Sequence, residues 1–87
     1  MFRAGQLYVI RDFTGDIFIA AYVRHDDDQV IFDQIVWAQD FGRVSMTFAN
    51  VHQDVTRFER YPAELEMGFP RAAIRVVTWP HARPETK

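Results

Sequence analysis

The sequence predicts a mainly β domain, or an α+β one with a single short helix, and three observations point there. β-Branched and aromatic residues gather in short runs at Leu7 to Arg11, Ile17 to His25, Val30 to Gln39 and Ile74 to Trp79. Polar turn clusters, Thr14-Gly15-Asp16 and Asp26-Asp27-Asp28-Gln29, separate the first three runs. Within the two long runs apolar residues fill neighbouring positions, the pattern of strands covered on both faces.

Leu7 to Arg11 (Leu-Tyr-Val-Ile-Arg) predicts the first strand, closed off by Thr14-Gly15-Asp16. Ile17 to His25 and Val30 to Gln39 flank a four-residue acidic reversal, which predicts a β-hairpin. Arg43 to Arg60 carries two patterns at once. Val44, Phe48, Val51, Val55 and Phe58 are spaced 4, 3, 4 and 3, which places them on one helical face. Val44, Met46 and Phe48 also alternate, and Thr47, Asn50, Thr56 and the valines are poor helix formers. The expectation is a short helix over about Val44 to His52, then irregular chain or a further strand. Tyr61-Pro62 stops what precedes it, because a residue before proline is pushed out of the helical region. Glu64-Leu65-Glu66-Met67 alternates and predicts a strand. Phe69-Pro70-Arg71-Ala72-Ala73 predicts one 3₁₀ turn, with proline presetting φ. Ile74 to Trp79 is the last strand, halted by Pro80. Pro80 to Lys87 holds two prolines and little apolar content, so residues 1–79 form a single domain and 80–87 a flexible tail.

This order of elements resembles the SH3-like and Sm-like small β-barrels. The likeness is carried by the Ile17–His25 and Val30–Gln39 hairpin and by the closing Phe-Pro-Arg-Ala-Ala-Ile-Arg-Val-Val run from Phe69 to Val77. It implies a small five-stranded barrel over about two-thirds of the chain. The glycine and asparagine positions with which Sm proteins hold uridine are missing, so their RNA binding does not carry over, and fold alone implies no function.

The hairpin has more apolar surface than one barrel interior needs. Ile17, Ile19, Ala21 and Val23 share one face of their strand; Phe18, Ala20 and Tyr22 share the other. In the partner, Val30, Phe32, Val36 and Ala38 fall on one face, and Ile31, Ile35 and Trp37 on the other beside Asp33. A chain of this size buries only about 60–65% of its unfolded surface. The second apolar face must meet the middle segment, another copy, or a different protein, since soluble monomers rarely leave such a patch in water. Covering ~300 Å² of it contributes on the order of 7 kcal/mol before association entropy. Phe18, Tyr22, Ile35 and Trp37 are the candidate interface residues.

Composition narrows the chemistry. The 87 residues carry a net charge of −2, with nine arginines and one lysine, so no global basic field attracts a nucleic-acid backbone. There is no cysteine, hence no disulfide and no thiolate. No apolar run is long enough to cross a membrane, and Met1-Phe2-Arg3 opens no secretory leader, so the expected location is cytoplasmic. Asp26-Asp27-Asp28 lacks the alternating spacing and glycine pivot of a calcium loop and reads as a solvated turn. His25, His52 and His81 are too far apart to pair at metal-ligand spacing. Ser45 lies outside any Gly-x-Ser-x-Gly elbow, and the four glycines are too dispersed for a phosphate loop. No cofactor, no metal and no enzymatic activity are expected.

Arg57-Phe58-Glu59-Arg60-Tyr61 interleaves cations with aromatics, a pattern that stacks on single-stranded nucleic acid. With Arg71 and Arg75 it forms the candidate nucleic-acid surface. The competing reading makes Phe58 and Tyr61 packing anchors and pairs the arginines with local carboxylates. Trp37 and Trp79 read as core or interface rings. The expectation is a non-catalytic protein–protein interaction or assembly module, homo-oligomeric or bound to another protein, and of phage or prophage type. The alternative is a single-strand nucleic-acid-binding barrel.

Overall fold

The computed structural model describes the backbone of residues 1–40, 55–80 and 83. Strands β1 (Leu7–Arg11), β2 (Ile17–Asp26), β3 (Gln29–Asp40), β4 (Val55–Arg60), β5 (Met67–Pro70) and β6 (Arg75–Thr78) make up the fold, with a 3₁₀ turn at Arg71–Ala73. They form one antiparallel sheet in the order β4-β3-β2-β1-β6, with β5 paired to β3. β3 holds two neighbours on the same side: Gln29–Phe32 pair with β5, and Val36–Asp40 with β4. The sheet has six strands where the sequence predicts five, because Val55–Arg60 adds one, and among the described residues it is not closed into a barrel. The helix expected over Val44 to His52, and the tail apart from Pro80 and Arg83, lie outside the described residues. No helix among the described residues is long and apolar enough to cross a membrane.

The expected hairpin forms with a tighter turn. Asp26 pairs with Gln29, leaving Asp27-Asp28 as the loop, and Asp27 takes φ 60, a left-handed conformation that aspartate tolerates better than most residues. The strand expected over Glu64–Met67 is displaced. Leu65 N–H closes a turn onto the Pro62 carbonyl at 3.0 Å, so pairing starts only at Met67 and runs through Phe69 and Pro70. The 3₁₀ turn follows, entered from Pro70 at φ −58.

A β-bulge changes which residues share a face. Ile19 pairs with Val36 but Ala21 pairs with Asp33, so Gln34 and Ile35 together oppose the single residue Ala20. Gln34 takes φ 51 there. The extra residue shifts the alternation by one. Val30 and Phe32 therefore join Ile35 on one side, with Trp37 packed against them, while Val36 and Ala38 point to the other. The strict alternation expected from sequence, which groups Phe32 with Val36 and Ile31 with Ile35, is corrected by this bulge.

Both faces of the hairpin are buried within one chain. On the first, Tyr8, Ile10, Phe18, Ala20, Val30, Phe32, Ile35, Phe69 and Ile74 form a cluster, with Phe2, Tyr22, Trp37 and Tyr61 packed against it. On the second, Val9, Ile17, Ile19, Val36, Ala38 and Trp79 cluster, with Leu7 and Phe58 at the margin. Trp79 reaches that face because its N–H continues the β1 ladder, donating to the Leu7 carbonyl at 3.0 Å. Each fully buried side chain of this kind contributes about 1.5–3 kcal/mol.

Candidate functional site

An N-terminal fold-back builds the most developed surface feature. Gln6 N–H donates to the Arg3 carbonyl at 3.0 Å, and Gly5 N–H to the Tyr22 carbonyl at 3.0 Å. Gly5 sits at φ 82, a conformation that a side chain disfavours, so glycine lets the chain reverse here. Arg3 N–H donates to the Tyr8 hydroxyl at 2.8 Å and pins the segment. Phe2 is thereby laid among aromatics. Its ring stacks on Tyr22 at 5.1 Å and meets Tyr8 edge-on at 5.2 Å and Phe32 at 6.0 Å. The His25 ring lies 5.7 Å away, and its Nδ1 is 2.7 Å from the Tyr22 hydroxyl.

Between this cluster and β6 lies a cleft of about 410 Å³. Met1, Phe2, Tyr8, His25, Arg71 and the three successive β6 residues Val76, Val77 and Thr78 line it. Tyr8 pairs with Thr78 and Ile10 with Val76, so Val76 and Thr78 share the face of Tyr8, while Val77, whose side chain alternates to the other face, borders the cleft with its main chain. The Arg71 guanidinium lies 5.5 Å from the Phe2 ring centre, a cation–π distance. Its main-chain N–H donates to the Asp28 carbonyl at 2.8 Å, which ties the 3₁₀ turn to the hairpin tip.

The four residues expected at an interface lie within or against the chain's own core. Phe18 and Ile35 are buried in the first cluster, and half-buried Tyr22 and Trp37 pack on it. The six candidate nucleic-acid residues are dispersed. Arg57 lies over Trp37 at 5.7 Å and 3.9 Å from Glu59, while Phe58 belongs to the opposite face. Arg60 pairs in register with Val36, and Tyr61 packs on the first cluster. Arg71 is at the cleft, and Arg75 is on β6 opposite Arg11. Near Arg60, Arg83 donates to the Gln34 main-chain oxygen at 3.0 Å and to Oε1 at 2.9 Å. Burial first, and then the like charge of Arg60, lowers the affinity of Arg83 for its proton.

Among the described residues no group of three or more histidine, aspartate or glutamate side chains is placed to hold a metal. Ser45, His52 and His81 lie outside them. Sequence reasoning passed over Phe2, Tyr8 and the β6 edge, and considered His25 as a metal ligand without placing it here. The available signal was Gly5 in front of the first strand, a turn that carries Phe2 back onto the sheet. The chain matches no family model, no curated protein and no solved structure.

Proposed function

We propose that this chain is a non-catalytic protein-interaction module whose docking surface is the edge of β6 that no strand among the described residues pairs with, together with the aromatic cleft beside it. The run of Val76, Val77 and Thr78 along the cleft wall carries this reading, because it puts the β6 main chain beside a cleft that offers both the Phe2 and Tyr8 rings and the polar groups of His25, Arg71 and Thr78. The bulges of the hairpin, and the two strands that share one side of β3, support an SH3-like or Sm-like barrel form for the scaffold. A chain without cysteine suits a reducing, cytoplasmic setting.

Panning a displayed-peptide library on the immobilised full chain tests the proposal, followed by amide chemical-shift mapping with the enriched peptides. Shifts gathered on β6, Phe2 and Tyr8 are the expected result; no enrichment, or shifts elsewhere, overturns it. Homo-oligomerisation is the self-binding form of the same reading, and sedimentation velocity measures it. A one-chain mass at every concentration removes that form.

One observation favours the nucleic-acid alternative, the stacking of Arg57 on Trp37. The placement of Phe58 on the opposite face weighs against it. A low-salt gel shift with single-stranded oligonucleotides that shows no retardation removes it.

A further inference from the structure

We propose that the cleft takes an extended, acidic segment of another protein, which adds to the sheet along β6 and places a carboxylate on Arg71. This deepens the interaction-module reading and rests on it. The ladder fixes what the edge offers. Trp79 N–H donates to Leu7, and the register pairs Val9 with Val77 and Arg11 with Arg75. Bonded and non-bonded pairs alternate in an antiparallel ladder. Arg75 and Val77 therefore turn their main-chain groups toward β1, while Val76 and Thr78 turn theirs outward. Among the described residues no strand pairs with β6 on that side.

Charge selects the occupant. Arg71 is exposed and forms no ion pair among the described residues; its side chain rests on the Phe2 ring. Asp28, at the hairpin tip, engages Arg71 through its main-chain carbonyl and not its carboxylate. The guanidinium fork at the cleft rim matches a carboxylate in shape and charge. A second copy is the poorer occupant. β6 is four residues long, and two such edges fall short of the roughly 1,200 Å² of a stable interface. A second copy also brings its own positively charged Arg71 to the same rim.

The test uses fluorescein-labelled Thr-Val-Glu-Val-Glu-Val-Thr, and its counterpart with lysine in place of both glutamates, titrated into the full chain. Fluorescence anisotropy reads affinity and amide shifts read position. The acidic peptide is expected to bind, to shift Val76 and Thr78, and to weaken about fivefold with Arg71→Gln. Thr78→Pro, which deletes an outward N–H and spares the bonds to β1, is expected to abolish binding without lowering the unfolding midpoint. Equal binding of the lysine peptide, or indifference to Arg71→Gln with shifts still on β6, overturns acid recognition and leaves the module reading standing. Failure of every extended peptide to bind removes both. Displacement of the acidic peptide by oligothymidine, or a dimer whose interface shifts map to β6, also overturns the proposal.

Discussion

Gln34 sits at φ 51, in the left-handed region that costs a non-glycine residue about 1–2 kcal/mol. That conformation supplies the extra residue which turns Ile35 onto the side of Phe32. Gln34→Gly relieves the local cost and is expected to raise stability by about 1 kcal/mol. Gln34→Val adds a β-branched clash and lowers stability by at least that much. Urea unfolding followed by tryptophan fluorescence measures both, and the reverse order would remove this account of the bulge. Both variants keep the Arg83 bond to the Gln34 carbonyl and lose the one to Oε1, so the difference between the glycine and valine variants isolates the backbone. Ile35 and Phe13 give the matching contrast among apolar residues. Ile35 is 0% exposed, and Ile35→Ala should cost about 3 kcal/mol through lost burial and the cavity left behind. Phe13 is 79% exposed on the loop that Asp12 organises by accepting the Thr14 and Asp16 amides, and Phe13→Ser should leave the midpoint unchanged.

At the scale of the strand, the phase of the β1–β6 ladder makes two adjacent prolines behave differently. Val77→Pro deletes an N–H aimed at Val9 and should destabilise the fold by about 1–3 kcal/mol, whereas Thr78→Pro deletes one aimed outward and should not. Equal losses in thermal unfolding would refute the assigned phase. The end of β2 is tied to the segment before β5 by Arg24, whose guanidinium donates to both Glu66 carboxylate oxygens at 3.2 and 3.0 Å. The hydrogen bond from Arg24 holds the Glu66 carboxyl below the usual glutamate range, against an opposing desolvation effect. A depressed folded value stabilises the fold above the unfolded value and loses that contribution as pH falls through the folded one. The pair is exposed, so the effect is small and screened by salt. Glu66→Gln should flatten the acid side of the stability–pH curve, and a curve unchanged in low salt would contradict it. These local features also show what a sequence discloses. The positions of β1, β2, β3 and β6 were legible because β-branched runs and turn residues act locally. The facing of Ile35 and Trp37 was not, since nothing in Asp33-Gln34-Ile35 announces an extra residue; only pairing with β2 does. Glu64 to Met67 misled because alternation outweighed the turn that Leu65 closes on Pro62.

For the molecule as a whole, the apolar excess of the hairpin is legible in sequence, but its destination depends on which distant residues arrive to cover it. Trp79 and Phe58 come from far along the chain to the second face, and Phe2 comes from the start of the chain to the first. The cleft stayed hidden for the same reason, being made by residues 1, 2, 8, 25, 71 and 76–78 meeting at one end of the sheet. The two clusters are opposite sides of the same β1, β2 and β3 strands, so opening one withdraws the floor of the other. The fold should therefore unfold as one cooperative unit. The two tryptophans make this measurable, because Trp79 is buried in the second cluster while Trp37 packs against the first. In Trp37→Phe the remaining fluorescence reports the second face, and in Trp79→Phe the first. Within each variant the fluorescence and far-ultraviolet circular dichroism should share one urea midpoint and one slope. A Trp79 signal that changes well before the dichroism does would mean that the second face opens by itself, and that the shared strands do not couple the two cores.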